Sequence, residues 1–530
     1  MIRFVNREAE MMLIDDAFKA LHNYKDNLLR TPIVNFYGVE GIGKTAIVKH
    51  VERKCQEQNV QYILIETIKD AQDLSYELSQ QARRYNISLS FDEDEEDLSR
   101  QSINATKALL RQGTVVLLLD AVDTTNEELI AQIAGTLRGV IDDAVGDNKL
   151  FVVLTSRKCL LFENERLISR KLTSLQLKPF DHKSCQDYLD SIDTVIDNEV
   201  RDYIYSWTRG YPLAMEVMTE AIVERQLDPR KEEDQKKLFA LIAERVIDHG
   251  VLANLQEHRL EIYKTALMLL CIPRRFNLAI MQELIETFEP DLKRQSGLSY
   301  MSLPRTLNQD TDVLSWNMLK AGYSLDASVR NIFLLKNKIE RNERFLEIHR
   351  FLAQLNRKLA NDVPGSDRIR YLREYLYHSA LTETLQEIER IVRQTIEFIA
   401  TEPSALFEQF HEEFLQDEEL REALDIYAIL VDSLFYQHQA RTNRIAAQEA
   451  QGSERLGHIR EFFYYTVNDP QIGDLHIVLR LSIQELLTQP SPKNTVDILK
   501  ALSRDDILKQ SLGPRFAIFS TLIQEILSEG

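Results

Sequence analysis

The segment Gly38-Val-Glu-Gly41-Ile-Gly43-Lys44-Thr45 constrains this chain more than any other. It fulfils the spacing G-x-x-x-x-G-K-[ST], directly after the apolar run Pro32–Tyr37 and directly before the helical stretch Ala46–Cys55. A strand, a glycine loop and a helix in that order belong to a parallel sheet whose buried strands are covered by helices. Glycines let the backbone curl so that successive N–H groups face inward, and the helix N-terminus adds its partial positive charge. The ligand that fits is a phosphate chain. The loop therefore predicts nucleotide contacts from Gly38, Gly41, Ile42, Gly43, Lys44, Thr45 and Ala46. Lys44 would reach the β- and γ-phosphates, and the Thr45 hydroxyl would sit on Mg²⁺.

Two further strands end in chemistry. Val115–Leu119 runs into Asp120-Ala121-Val122-Asp123, an apolar strand delivering a carboxylate to its exposed end. Asp120 would hold Mg²⁺ through water, and Asp123 would polarise the attacking water, a task for a carboxylate near the γ-phosphate but off the metal. Leu150–Thr155 ends at Ser156-Arg157, where a guanidinium on a neighbouring strand tip can tell a triphosphate from a diphosphate. With Tyr62–Glu66 as a fourth strand, residues 1–165 read as an α/β P-loop domain, a doubly wound parallel sheet with its ligand at the carboxyl ends.

Beyond about 165 strand signals fade and helical periodicity takes over. A chain of 530 residues holds three or four domains at roughly 150 residues each. The breaks fall near Asp248-His249-Gly250 and again before the all-helical remainder, giving 1–165, 166–250, 251–345 and 346–530, with a further interruption at Asn361–Asp367. Only 17 Gly and 13 Pro interrupt the chain, which favours helices over many short strands.

Several function classes are disfavoured. A formal charge of −19 repels phosphate backbones and anionic lipid, so nucleic acid is an unlikely partner on charge grounds. Cys55, Cys159, Cys185 and Cys271 show no metal or disulfide spacing, which fits a reducing cytoplasm. No apolar stretch approaches the ~20 residues that span a bilayer, and the N-terminus lacks an apolar signal core. Asp92–Asp97 reads as a solvated acidic loop, Phe462-Phe463-Tyr464-Tyr465 as core, and His349 as a packing residue without a partner constellation.

Taken with its neighbours, the phosphate loop resembles that of STAND NTPases, the signalling branch of AAA-like ATPases that includes the NB-ARC and NACHT groups. Phe4-Val5-Asn6-Arg7-Glu8-Ala9-Glu10 resembles the family's lead-in, with Asn6 in place of the usual Gly. Asp120-Ala121-Val122-Asp123 resembles the NACHT-style second motif, Thr155-Ser156-Arg157 the sensor, and Gly210-Tyr211-Pro212-Leu213-Ala214 the Gly-Leu-Pro-Leu-Ala element. The resemblance implies that Phe4, Val5 and Arg7 cradle adenine and that Pro212 packs on the base from a helical lid, 166–250. It also implies a winged-helix-like clamp at 251–345, in which Asp326 aligns with the position of the usual phosphate-binding His and Ala327 with the following Asp.

The implied function is an ATP/ADP-controlled switch with slow ATP hydrolysis. ADP would keep the chain closed, and ATP would favour a self-associated oligomer. Residues 346–530 would receive the trigger, a protein or small ligand. With no effector motif in view, a separate effector protein is expected, in a prokaryotic defence or regulatory setting. The rival is an origin-recognition-like AAA ATPase or a transcription regulator acting on DNA, which would show steep salt-dependent DNA binding.

Overall fold

The computed structural model describes residues 7–529 apart from 23–28, 67, 69, 86–97, 123–125, 145–148, 163–164, 193, 254, 293–299, 318–321 and 489–491. Phe4, Val5, Asp123 and the acidic run Asp92–Asp97 lie outside the described residues. The chain divides into two compact units, Met1–Asn342 and Glu343–Gly530.

The first unit opens with α1 (Glu8–His22), then β1 (Ile33–Tyr37), α2 (Lys44–Glu57), β2 (Gln61–Glu66), α3 (Ala71–Ala82), α4 (Leu98–Gln112), β3 (Val115–Val122), α5 (Glu127–Ala144), β4 (Leu150–Ser156), α6 (Arg166–Lys171) and β5 (Leu172–Gln176). All neighbouring strands pair in parallel, in the order β2-β3-β4-β1-β5. This places β1 inside the sheet, with its loop between the ends of β4 and β5. Every residue of β4 and the first six of β3 are buried, as expected for strands covered on both faces. Leu74 and Leu78 of α3, Leu109 of α4 and Leu129, Ile133 and Leu137 of α5 join the strand residues in one core.

The sheet continues past residue 165. Its fifth strand reads Leu-Thr-Ser-Leu-Gln and is only half-buried at the sheet edge, so it lacks the apolar run that marks the other four. Helices then follow: α7 (His182–Asp190), α8 (Asn198–Thr208), α9 (Pro212–Glu224) and α10 (Glu232–Ala243), the last running into a π-helical turn, Glu244–Val251. Asp181 and Asp197 cap α7 and α8 by accepting from the backbone N–H of Ser184 and Val200, and proline fills the first turn of α9. Next come α11 (Glu257–Leu270), α12 (Leu278–Phe288), α13 (Leu303–Thr311), an antiparallel pair β6 (Leu314–Asn317) and β7 (Gly322–Leu325), and α14 (Ala327–Glu340).

The second unit is helical among its described residues, from α15 (Asn342–Asp362) and α16 (Gly365–Ala380) through to Arg515–Glu529. It holds two apolar clusters, one spanning Ala360 to Phe435 and the other Ala440 to Ile526. Phe462 and Phe463 are buried in the second, with Tyr464 and Tyr465 packed against it. His349 does have a partner. It is fully buried on α15, with its Nδ1 2.8 Å from Nδ1 of His378 on α16, a neighbour that helix pairing supplies and that sequence separation conceals. Among the described residues, no helix is long and apolar enough to cross a membrane.

Candidate functional site

The phosphate loop is fastened at its base, where Gly38 N donates to Ser156 O of β4 at 3.2 Å and Leu177 N donates to Tyr37 O at 2.8 Å. Gly41 (φ +76°) and Gly43 (φ +101°) occupy left-handed backbone, which side chains disfavour and which turns the loop tightly into α2. Ile42 is buried beneath the loop, while Thr45 and Ala46 are exposed on the first turn of α2, where backbone N–H groups are free of helix partners. Lys44 folds back over the loop, its Nζ donating to Gly38 O at 2.7 Å and Val39 O at 2.9 Å. Burial, and then the Arg157 cation, push its ammonium down to about 8, against the opposing pull of Glu40, Asp120 and Asp312.

Asp120 reaches the same place from β3. The register of β3 against β4 shifts between Leu119 and Val122, and Ala121 stands at φ +54°, an unusual conformation for alanine. Such a bulge re-aims the residue beside it. The Asp120 carboxylate accepts from the Thr155 hydroxyl, and the Thr155 oxygen in turn accepts from Ala121 N at 2.8 Å. Thr155 therefore holds both the carboxylate and the irregular peptide that follows it. A hydroxyl at Thr45 and a carboxylate at Asp120 are hard oxygen donors, the kind Mg²⁺ accepts alongside water and phosphate oxygens.

Arg157, at the tip of β4, does not point freely at the loop. Its Nη2 donates to Glu40 Oε2 at 2.8 Å, and its Nη1 lies 3.7 Å from Asp312 Oδ2, the residue that ends α13. Lys158 lies 2.5 Å from Asp312 Oδ1 and donates to Asn308 O at 3.2 Å.

Arg7 lies beneath the loop. Its buried guanidinium donates to Ile42 O at 2.9 Å and Lys178 O at 3.0 Å and stands 5.3 Å from the centre of the Phe180 ring. Burial lowers its pKa. The side chain thus joins the phosphate loop to the segment leaving β5. From above, the start of α9 closes on the loop: the Tyr211 hydroxyl donates to Glu40 O, and Leu213 N donates to Gly41 O at 3.2 Å. A Cβ on Gly41 would stand 2.5 Å from that of Leu213, so only glycine permits this approach. Pro212 lies between these two contacts as the first residue of α9. Burial pushes the Tyr211 phenol well above its usual range.

Asp326, aligned with the latch position, turns instead into its own helix, accepting from Ser328 N at 2.9 Å and Val329 N at 3.4 Å as the N-cap of α14. Burial raises its pKa. The structure thus brings Lys44, Asp120, Arg157, Arg7 and the Pro212 turn around one loop and adds Glu40, Tyr211, Lys158 and Asp312. Glu40 occupies a free position of the loop motif and Tyr211 replaces a leucine, so each carried a faint signal. Asp312 carried none, because no spacing links it to β4.

Residues 12–179, which include all five strands of the parallel sheet, match the model of the NB-ARC domain family. This segment is thus a STAND-type P-loop NTPase domain. Among solved structures, the chain is similar to Cdc6p of Pyrobaculum aerophilum, at 14% identity and a TM-score of 0.36 over 63% of this chain and 96% of that one. It is similar to the ORC1 protein of Aeropyrum pernix, solved in complex with DNA, at 17% identity and a TM-score of 0.35, covering 64% and 95%. A STAND protein with a tetratricopeptide repeat sensor from Pyrococcus horikoshii aligns over 99% of this chain and 76% of its own, at 14% identity and a TM-score of 0.29. No curated protein matches the chain.

Proposed function

We propose that this NTPase is an ATP/ADP-controlled signalling switch that hydrolyses ATP slowly. The observation that carries the reading is the double contact of Tyr211 and Leu213 with the carbonyls of Glu40 and Gly41. A lid fastened to the loop itself must feel whatever fills the loop. In this reading residues 1–165 with β5 bind nucleotide, the rest of 166–250 forms the lid, 251–345 a winged-helix-like clamp, and 346–530 the sensor surface.

Each site residue then has a role. The loop N–H groups and Lys44 bind the β- and γ-phosphates, Arg157 recognises the γ-phosphate, and Asp123 orients the attacking water. Phe4, Val5, Arg7 and Pro212 flank the base. Thr45 and Asp120 would hold Mg²⁺, which when bound neutralises phosphate charge. Thr155 keeps the Asp120 carboxylate aimed. The ATP form self-associates and acts on a separate effector, and the net charge of −19 supports a protein partner over a nucleic acid.

The test pairs nucleotide titration with light scattering of the full chain. Lys44→Ala should weaken ATP and ADP by roughly 100-fold, the loss of a charge-assisted contact, and abolish any ATP-dependent gain in mass. Wild-type affinity in the variant would sink the nucleotide site. Intact, Lys44-dependent binding with no change of mass would sink the switch.

A further inference from the structure

The ion pairs at the tip of β4 carry more than packing. Asp312 follows the last residue of α13 at φ 57°, ψ 15°, and its N–H bonds back to Asn308 O. That left-handed position favours glycine or asparagine, and the carbonyl end of a helix disfavours a carboxylate. The side chain is also largely buried, at 14% exposure. Helix dipole and burial both speak against a charged aspartate here, and a neutral asparagine would ease both while keeping the left-handed backbone. What the acid has is its partners, Arg157 and Lys158. Together with Glu40 they make two anions facing two cations, beside a small cavity walled by Val39, Tyr211, Asp312, Val313 and Val329.

Resting on the nucleotide reading above, we propose that Asp312 sets the preference between ATP and ADP by competing with the γ-phosphate for Arg157. ADP ends at the β-phosphate, which the loop N–H groups and Lys44 can hold while Arg157 stays paired. ATP presents a third phosphoryl group, whose oxygens match the guanidinium fork better than a carboxylate at 3.7 Å. To engage it, Arg157 must leave Asp312, and that cost falls on ATP alone. A ligand moves an equilibrium only by its differential affinity for the two states, so Asp312 tilts the chain toward its diphosphate form. Departure of Arg157 also leaves Lys158, through Asp312 and Asn308 O, still tying the strand tip to the end of α13. The same acid therefore makes the C-terminal end of α13 sensitive to the γ-phosphate.

Asp312→Asn removes the charge while suiting the left-handed position at least as well, so folding is not at stake. Titration of the full chain with ADP and with a β,γ-non-hydrolysable ATP analogue should show the analogue bound about tenfold more tightly by the variant, with ADP unchanged within about twofold, a coupling of ordinary size. Arg157→Ala should weaken the analogue, and adding Asp312→Asn to it should restore nothing, because the competitor acts only through the guanidinium. Asp310→Asn, two residues away and paired with Arg259 and Tyr263, should leave both affinities alone. Equal gains for ADP and the analogue, an unmoved analogue, or a full gain in the Arg157→Ala background would each overturn the proposal while leaving the nucleotide site standing. Failure of the wild type to bind ADP would instead remove the reading on which it rests.

Discussion

In Met1–Asn342 the buried side chains Arg7, Asp120, Thr155 and Ser156 gather where β1, β3 and β4 end, whereas in Glu343–Gly530 His349, His378, His411, Gln439 and Arg455 are strung along successive helices. Four of the second set find partners on neighbouring helices: His349 pairs with His378, His411 with Asp432 at 3.1 Å, and Arg455 with Thr495 at 3.0 Å. Buried polarity spread in this way fixes which helix faces meet. Buried polarity collected at one end of the sheet also costs desolvation but brings carboxylate, hydroxyl and cation close together. The first unit concentrates its chemistry, and the second uses polarity to define packing.

That contrast predicts separable mutant phenotypes. Asp123→Asn should slow ATP hydrolysis by roughly 10²–10⁴-fold while ATP affinity stays within about threefold, since an amide cannot act as a positioned base. Single-turnover rates at saturating ATP measure this, and hydrolysis at the wild-type rate would remove Asp123 from the chemistry. Phe463→Ala should do the reverse. Truncating a fully buried ring in the second unit costs about 3–5 kcal/mol of unfolding free energy. ADP affinity should hold. If denaturant melts and titrations fell together, the two units would not be independent in this sense.

The smallest effect comes from pH. In the free protein Lys44 sits at about 8, and bound phosphates favour its charged form, so binding takes up a proton above that pH. Nucleotide affinity should be flat with respect to this group below about 8 and fall by up to roughly tenfold per pH unit above it. Titrations at pH 7 and pH 9 in buffers of different ionisation enthalpy would report both the loss and the proton. Equal affinities at the two values would mean that Lys44 keeps its charge without nucleotide.

Much of the first unit was legible because its signals are local. The phosphate loop, the apolar strand before Asp120 and the Ser156-Arg157 tip are each contiguous in sequence, and parallel strands must bring their ends together. The polar edge strand Leu172–Gln176 was not, since half-buried Leu-Thr-Ser-Leu-Gln lacks an apolar run. The use of Arg7 as a tie between Ile42 and Lys178 was also out of reach, because a lead-in motif says nothing about which carbonyl a guanidinium meets. His349 and His378 on paired helices, and Asp312 against Lys158, are long-range pairs with no periodicity to announce them. The helical character of the second unit was readable from its pattern, but not which residues face each other.

The segment Leu177–Asp181, between β5 and α7, has almost no slack. Leu177 is tied to Tyr37, Lys178 to Arg7, Phe180 N to Gly210 O at 2.8 Å, and Asp181 to the first turn of α7. Gly210 fits there only because it lacks a side chain, since a Cβ would fall 1.8 Å from Phe180 O. A connector pinned at so many points transmits torque instead of paying out length. Helices α7 to α10 are therefore anchored at the end of β5, in register with the strand that carries the phosphate loop.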